Sequence, residues 1–189
     1  MLIFVENPGL INESRIRLPE YNLSYREVEE GIVRACADIL PIDKEGNLLL
    51  ARRSEKVKLI AGKYWVFGGR LGAFQLPLQA AHEYANSDLS LAIPVDRFHY
   101  VECYQLLWGP EVLRHDNTCW YYVKLSDEEI AGIKLSDEYV NSSLRKFSLD
   151  EAVNSRIHPA IVNAFQKILG VPITISDAPY HVCSQQDFN

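Results

Sequence analysis

The residues of this 189-residue chain that could do chemistry gather around one pair of adjacent glycines. Gly68-Gly69 follows the apolar run Tyr64-Trp65-Val66-Phe67 and directly precedes Arg70. Glycines at the end of a strand adopt backbone angles closed to other residues and let a ligand approach the main chain. An arginine placed next to them offers a planar fork that can grip a diphosphate. Asp88, on a helix that starts about one turn later, can share a divalent cation with the Gly68 carbonyl. Upstream, Asp38 is the single acid in the mostly apolar run Ile32 to Ile42. An unpaired buried carboxylate is costly, so Asp38 needs a partner, either a ligand amide or a nearby arginine. Arg53 follows the next apolar segment and is read either as a pocket residue or as a solvated hairpin end. Tyr121 lies in the aromatic stretch Trp120-Tyr121-Tyr122, of which only one face can reach a pocket. His115-Asp116 has the residue types of a catalytic dyad, in what reads as a strand-to-strand loop.

The elements that must position these groups are legible from pattern. Ile32–Ile42 and Leu48–Ala51 flank the turn residues Asp43 to Asn47 and predict a β-hairpin. Tyr64–Phe67 predicts a short strand ending at the glycines. Pro77 suits a first helical turn, and a helix is expected over Leu78–Leu89. Phe98–Leu107 and Thr118–Leu125 predict strands. The spacing of Val153, Ile157, Ile161, Phe165 and Ile168 predicts a helix over Asp150–Leu169 that stops at Gly170. A short strand at Leu2–Val5, a short helix over Tyr25–Glu30 and a strand at Val171–Ile175 complete the reading. The order of elements implies an α+β fold with a mixed sheet between helices. The expected organisation is an extension over 1–25, a domain over 26–170 and an arm over 171–189.

The stretch from Gly62 to Asp88 resembles the Nudix hydrolases, whose box has the form G-x5-E-x7-R-E-U-x-E-E-x-G-U. Starting at Gly69, the box positions fall on Gln75, Glu83, Tyr84, Ser87, Asp88 and Ser90, so one acid of four survives, as Asp88. The flanks look like one branch, the GDP-mannose mannosyl hydrolases. The resemblance implies an α/β/α sandwich with a central mixed sheet. It assigns Asp38, Arg53, Arg70 and Tyr121 to ligand binding, and Arg70 also to the departing diphosphate. It assigns Gly68 and Asp88 to a magnesium ion that binds weakly and with help from the ligand. The implied reaction is hydrolysis of a nucleoside diphosphate sugar, most like GDP-mannose. The alternative is a nucleotide-sugar binding module without catalysis. The branch has a Gln-His pair in the loop before its last helix, and here that position falls near Val140-Asn141. No histidine lies between His115 and His158.

Composition narrows the class. Hydrophobic residues make up 48% and charged residues 23%, as in an ordinary globular chain. A net charge of −6 argues against a general nucleic-acid surface. No apolar run approaches the ~18 residues of a membrane span, and the opening MLIFVENPGL reads as no export leader. Cys36, Cys103, Cys119 and Cys183 are widely spaced with no CxxC pair. A zinc or redox motif is therefore not expected, and a reduced, cytoplasmic setting is. A homodimer is the expected assembly.

Overall fold

Ten mostly buried residues from Val33 to Ile42 form a strand inside the sheet, with paired strands on both sides. The computed structural model describes residues 33–57, 60–108, 114–172 and 180–183. The expected elements over 2–5 and 25–30 lie outside these residues. In order, the strands are β1 (Val33–Ile42), β2 (Leu48–Arg52), β3 (Tyr64–Trp65), β4 (Phe67–Arg70), β5 (His99–Trp108), β6 (Arg114–Lys124), β7 (Arg145–Phe147) and β8 (Tyr180–Cys183). The helices are α1 (Pro77–Leu89), α2 (Asp127–Gly132), α3 (Leu149–Asn154) and α4 (Pro159–Leu169). The sheet runs β3-β2-β1-β6-β5-β8, with β4 also pairing with β1 and β7 with β2. The β1–β6 and β5–β8 pairs are parallel and the others antiparallel, so the sheet is mixed, as the sequence predicts.

The hairpin turn is fixed by Asp43, whose carboxylate accepts from the Asn47 amide at 2.7 Å and from Asn47 Nδ2 at 3.0 Å. Burial would raise its pKa, but these bonds and Lys146 at 2.9 Å outweigh it and hold the group down at about 2.

Two layers of apolar side chains cover the sheet. On one face Ala37, Ile39 and Phe67 meet Ala80, Ala81, Ala85 and Leu89 of α1. On the other, Leu40, Trp120 and Tyr104 meet Ile161, Val162 and Phe165 of α4. Alternation along the strands assigns each residue its face. Asp38 is level with Trp120, and Cys36 with Thr118, so these four face α4.

Three expectations need correction. The single helix over Asp150–Leu169 is two. Ser148 caps α3 through the Glu151 amide, Arg156 takes a left-handed φ of 53°, and Pro159 starts α4. A proline lacks the N–H that would continue a helix, and it biases the residue before it away from helical angles. The strand 64–67 does not end at the glycines. The chain changes partner at Val66, from β2 to β1, so Gly68 and Gly69 lie inside β4. The expectation of reduced cysteines does not hold for all of them: Cys103 and Cys119 are directly opposed on β5 and β6, with Cα atoms 4.2 Å apart, and form a disulfide. No described helix is long and apolar enough to cross a membrane.

Candidate functional site

Gly68 is the point around which the site is built. Its φ is +138°, and a Cβ there would lie 2.3 Å from the Ala37 carbonyl oxygen and 2.7 Å from Asp38 Oδ1. Only glycine lets β4 lie this close to β1. Asp38, directly across the ladder, is buried with 7% of its surface exposed. Its Oδ2 accepts from Thr118 Oγ1 at 2.6 Å and from Trp120 Nε1 at 2.9 Å. Burial raises its pKa to about 7, with the Asp116 charge adding to the rise, while the Thr118 and Trp120 bonds and the Arg53 charge oppose it.

Arg53 stands just past β2, where its backbone bridges Tyr139. Its guanidinium pairs with Glu138 at 2.9 Å and lies 4.9 Å from the centre of the Tyr139 ring. Its Nε is buried without a hydrogen-bond partner. Tyr139 is itself fixed by donating to the Val66 carbonyl at 3.0 Å.

A pocket of about 90 Å³ opens between these groups. Asp38, Arg53, Gly68, Gly69, Thr118 and Asp116 supply its polar lining. Trp65, Trp108, Leu106 and Cys36 supply the apolar part. Asp116 accepts from Trp108 Nε1 at 2.8 Å. Trp65 and Trp108 have ring centres 5.5 Å apart at 59°, and His158 packs against both.

The structure thus brings Asp38, Arg53 and Gly68 together. Arg70 lies opposite Cys36 at the exposed end of β4, on the same face of the sheet, but outside the pocket lining. Tyr121 is level with Ile39 and turns toward α1, where it meets Tyr100, so it faces away from the pocket. His115 and Asp116 are consecutive on β6 and therefore point to opposite faces, which rules out their acting as a dyad. Asn141 is exposed and does not line the pocket.

Asp88 approaches from the α1 side. It is 5% exposed, and its Oδ2 accepts from the Gly68 amide at 3.0 Å while Oδ1 accepts from Ser136 at 3.3 Å. Burial raises its pKa to about 6, the Glu138 charge adds to this, and the Gly68 bond opposes it. Tyr84 fills the next position, donating to the Arg70 carbonyl at 2.8 Å and packing against Gly69. Glu83 is held by Gln75 at 2.6 Å. Trp65, Trp108, Thr118 and Asp116 were not singled out for the pocket from sequence. The alternation Asp116, Thr118, Trp120 is the signal that could have found two of them, Asp116 and Thr118.

No protein-family model matches the sequence, and no curated protein sequence matches it. Solved structures do match in three dimensions. A MutT protein from Methanosarcina mazei Go1 superposes with a TM-score of 0.60 at 16% identity, over 73% of this chain and 94% of that one. A MutT NUDIX hydrolase from Burkholderia pseudomallei gives 0.57 at 18% identity, over 72% and 98%. A C. elegans Ap4A hydrolase gives 0.57 at 14%, over 73% and 96%. This chain has the Nudix fold.

The Nudix resemblance implies magnesium, and the residues here do not fit it. Mg²⁺ takes carboxylate and other oxygens in near-octahedral geometry. Asp88 instead accepts from two protein donors, the Gly68 amide and Ser136, and Tyr84, at a position where the Nudix box carries an acid, donates to the Arg70 carbonyl. Among the described residues no three His, Cys, Asp or Glu side chains converge as a cation site.

Proposed function

We propose that this Nudix-fold chain binds a nucleoside diphosphate sugar, with GDP-mannose as the first ligand to test, and does not turn it over. The observation that carries this reading is the placement of Asp88. The box acid that survives is engaged with the Gly68 amide and Ser136, so it braces the turn beside the pocket. The pocket keeps what binding requires: a desolvated arginine, a buried carboxylate, a hydroxyl and two indoles. Arg53 in the pocket and Arg70 on the same face of the sheet give a diphosphate two cationic forks.

A second reading, hydrolysis of the same ligand, is favoured by the fold shared with the NUDIX hydrolase from Burkholderia pseudomallei and the Ap4A hydrolase from C. elegans. One experiment separates the two. GDP-mannose is incubated with the protein and Mg²⁺ from about pH 6 to 10, and free sugar and GDP are measured beside calorimetric binding. Binding without product, weakened by Arg70→Ala, supports the binding module. Product release that Arg70→Ala lowers by roughly 10²-fold supports the hydrolase. No binding and no product removes both.

A further inference from the structure

Resting on the nucleotide-sugar reading above, we propose that the Ile60 side chain is a displaceable plug, which occupies ligand space in the pocket and turns outward about Gly62 when a nucleoside diphosphate sugar binds. Size is the first reason. The pocket holds about 90 Å³. Clefts that enclose a small organic ligand run from roughly 300 Å³ upward. A nucleotide sugar therefore needs room that one of the lining groups must give up. The lining contributed by β1, β3, β4, β5 and β6 is held in the sheet ladder. Arg53 is held by its bridge to Tyr139 and its pair with Glu138. Ile60 enters the lining from the connection between β2 and β3 instead.

The backbone of Ile60 is the second reason. Its side chain is 3% exposed, yet its φ is +56°. A β-branched residue in the left-handed region is strained, and it stays there only when its surroundings hold it. Ile60 is held by burial in the same apolar cluster as Trp65 and Trp108. The closed position thus sets backbone strain against apolar contact. A ligand that covers the vacated apolar surface replaces the contact, and the outward turn releases the strain. The base of the connection stays fixed meanwhile. Arg53 N donates to the Lys63 carbonyl and Gly62 N donates to the Arg53 carbonyl, each at 2.9 Å. Ile60 lies two residues before that clamp, and Gly62, at φ +71°, has no Cβ to resist rotation. Ile60 can therefore leave while Arg53, which ties down the base, remains in the pocket to meet phosphate.

Cys36 is the reporter of opening, since its thiol lines the pocket, is 5% exposed and lies outside the disulfide. Its labelling by N-ethylmaleimide is timed by mass spectrometry of the Cys36 peptide in wild type, Ile60→Ala and Ile60→Gly. GDP-mannose affinity is measured beside it by calorimetry. Labelling through a local opening is insensitive to low urea, whereas labelling through global unfolding rises steeply with it. Wild-type labelling is expected to be flat in low urea. Ile60→Gly is expected to label faster and to bind GDP-mannose more tightly, each by about tenfold or more, because its closed state no longer excludes the ligand. Ile60→Ala, which keeps the strain and shortens the plug, should fall between. Variants that bind GDP-mannose no more tightly than a binding wild type would overturn the plug and leave the nucleotide-sugar reading standing. Faster, urea-independent labelling with no binding by any of the three proteins would keep the plug and remove the nucleotide-sugar reading. Wild-type labelling that climbs from the first addition of urea would overturn the plug, and it decides the matter alone if the variants do not fold.

Discussion

Replacing Asp38 by asparagine should make the protein more stable, and only at high pH. The native carboxyl titrates near 7 instead of its ordinary 3.8, because burial disfavours the charged form. Below about 3.8 it is protonated in both native and unfolded chains. Between 3.8 and 7 the native chain keeps a proton that the unfolded chain has released, so stability falls as pH rises through this window and levels off above it. About three pH units at ~1.4 kcal/mol each give a loss of about 4 kcal/mol. Asparagine reproduces the neutral form at every pH, and its side-chain oxygen can still accept from Thr118 and Trp120. Asp38→Asn should therefore match wild type near pH 4 to within about 1 kcal/mol. It should exceed wild type by up to about 4 kcal/mol near pH 8.5. Urea denaturation followed by tryptophan fluorescence at several pH values measures this directly. Asp88 also titrates high, near 6, and contributes to the wild-type slope, so the difference between the two proteins isolates Asp38. A variant less stable than wild type at pH 8.5, or a difference independent of pH, would refute the assignment of a neutral, buried carboxyl.

Other outcomes follow from the same geometry. Gly68→Ala should cost about 3 kcal/mol or more in urea denaturation, since a Cβ has no space against Ala37 and Asp38. Reducing the Cys103–Cys119 disulfide, which closes a sequence separation of 16 residues, should lower stability by about 3 kcal/mol, read as a drop in melting temperature with reductant. Magnesium alone should leave the melting temperature of the ligand-free protein unchanged, whereas tight Mg²⁺ binding in calorimetry would show that Asp88 turns from Gly68 to a cation. Tyr139→Phe should cost about 1 kcal/mol through its lost bond to the Val66 carbonyl, checked by the same denaturation.

Much of the fold was legible because it rests on local rules. The Asp43–Asn47 turn chemistry, Pro77 at the start of α1 and the period of the strands each declared an element without reference to the rest. Helix α2 was legible in principle, since Ser126 and Glu129 form a capping box, but its six residues carry little apolar pattern. The break at Pro159 is also a local rule, outvoted by the continuing apolar spacing. The site was harder. Asp38, Arg53 and Gly68 announce themselves by type. Whether Tyr121 or Trp120 faces the pocket depends on one residue of register between β1 and β6, strands about 80 residues apart. The same parity placed Asp116 inside and His115 outside, and joined two cysteines that sequence distance kept separate.

The close seat of Gly68 on Asp38 also bears on how the chain reaches its native state. Strand β4 has only four residues, too few for its ladder bonds to choose an alignment by number. Sliding it one place would turn Phe67 from the α1 layer to the α4 layer and set a different residue against Ala37 and Asp38. Of the four residues only the glycines could follow β1 so closely, and Gly69 is already committed to the Tyr84 side. Steric exclusion thus acts as a register key: misaligned intermediates meet a collision. Correct pairing of β4 also sets Gly68 and Gly69 into the lining of the pocket.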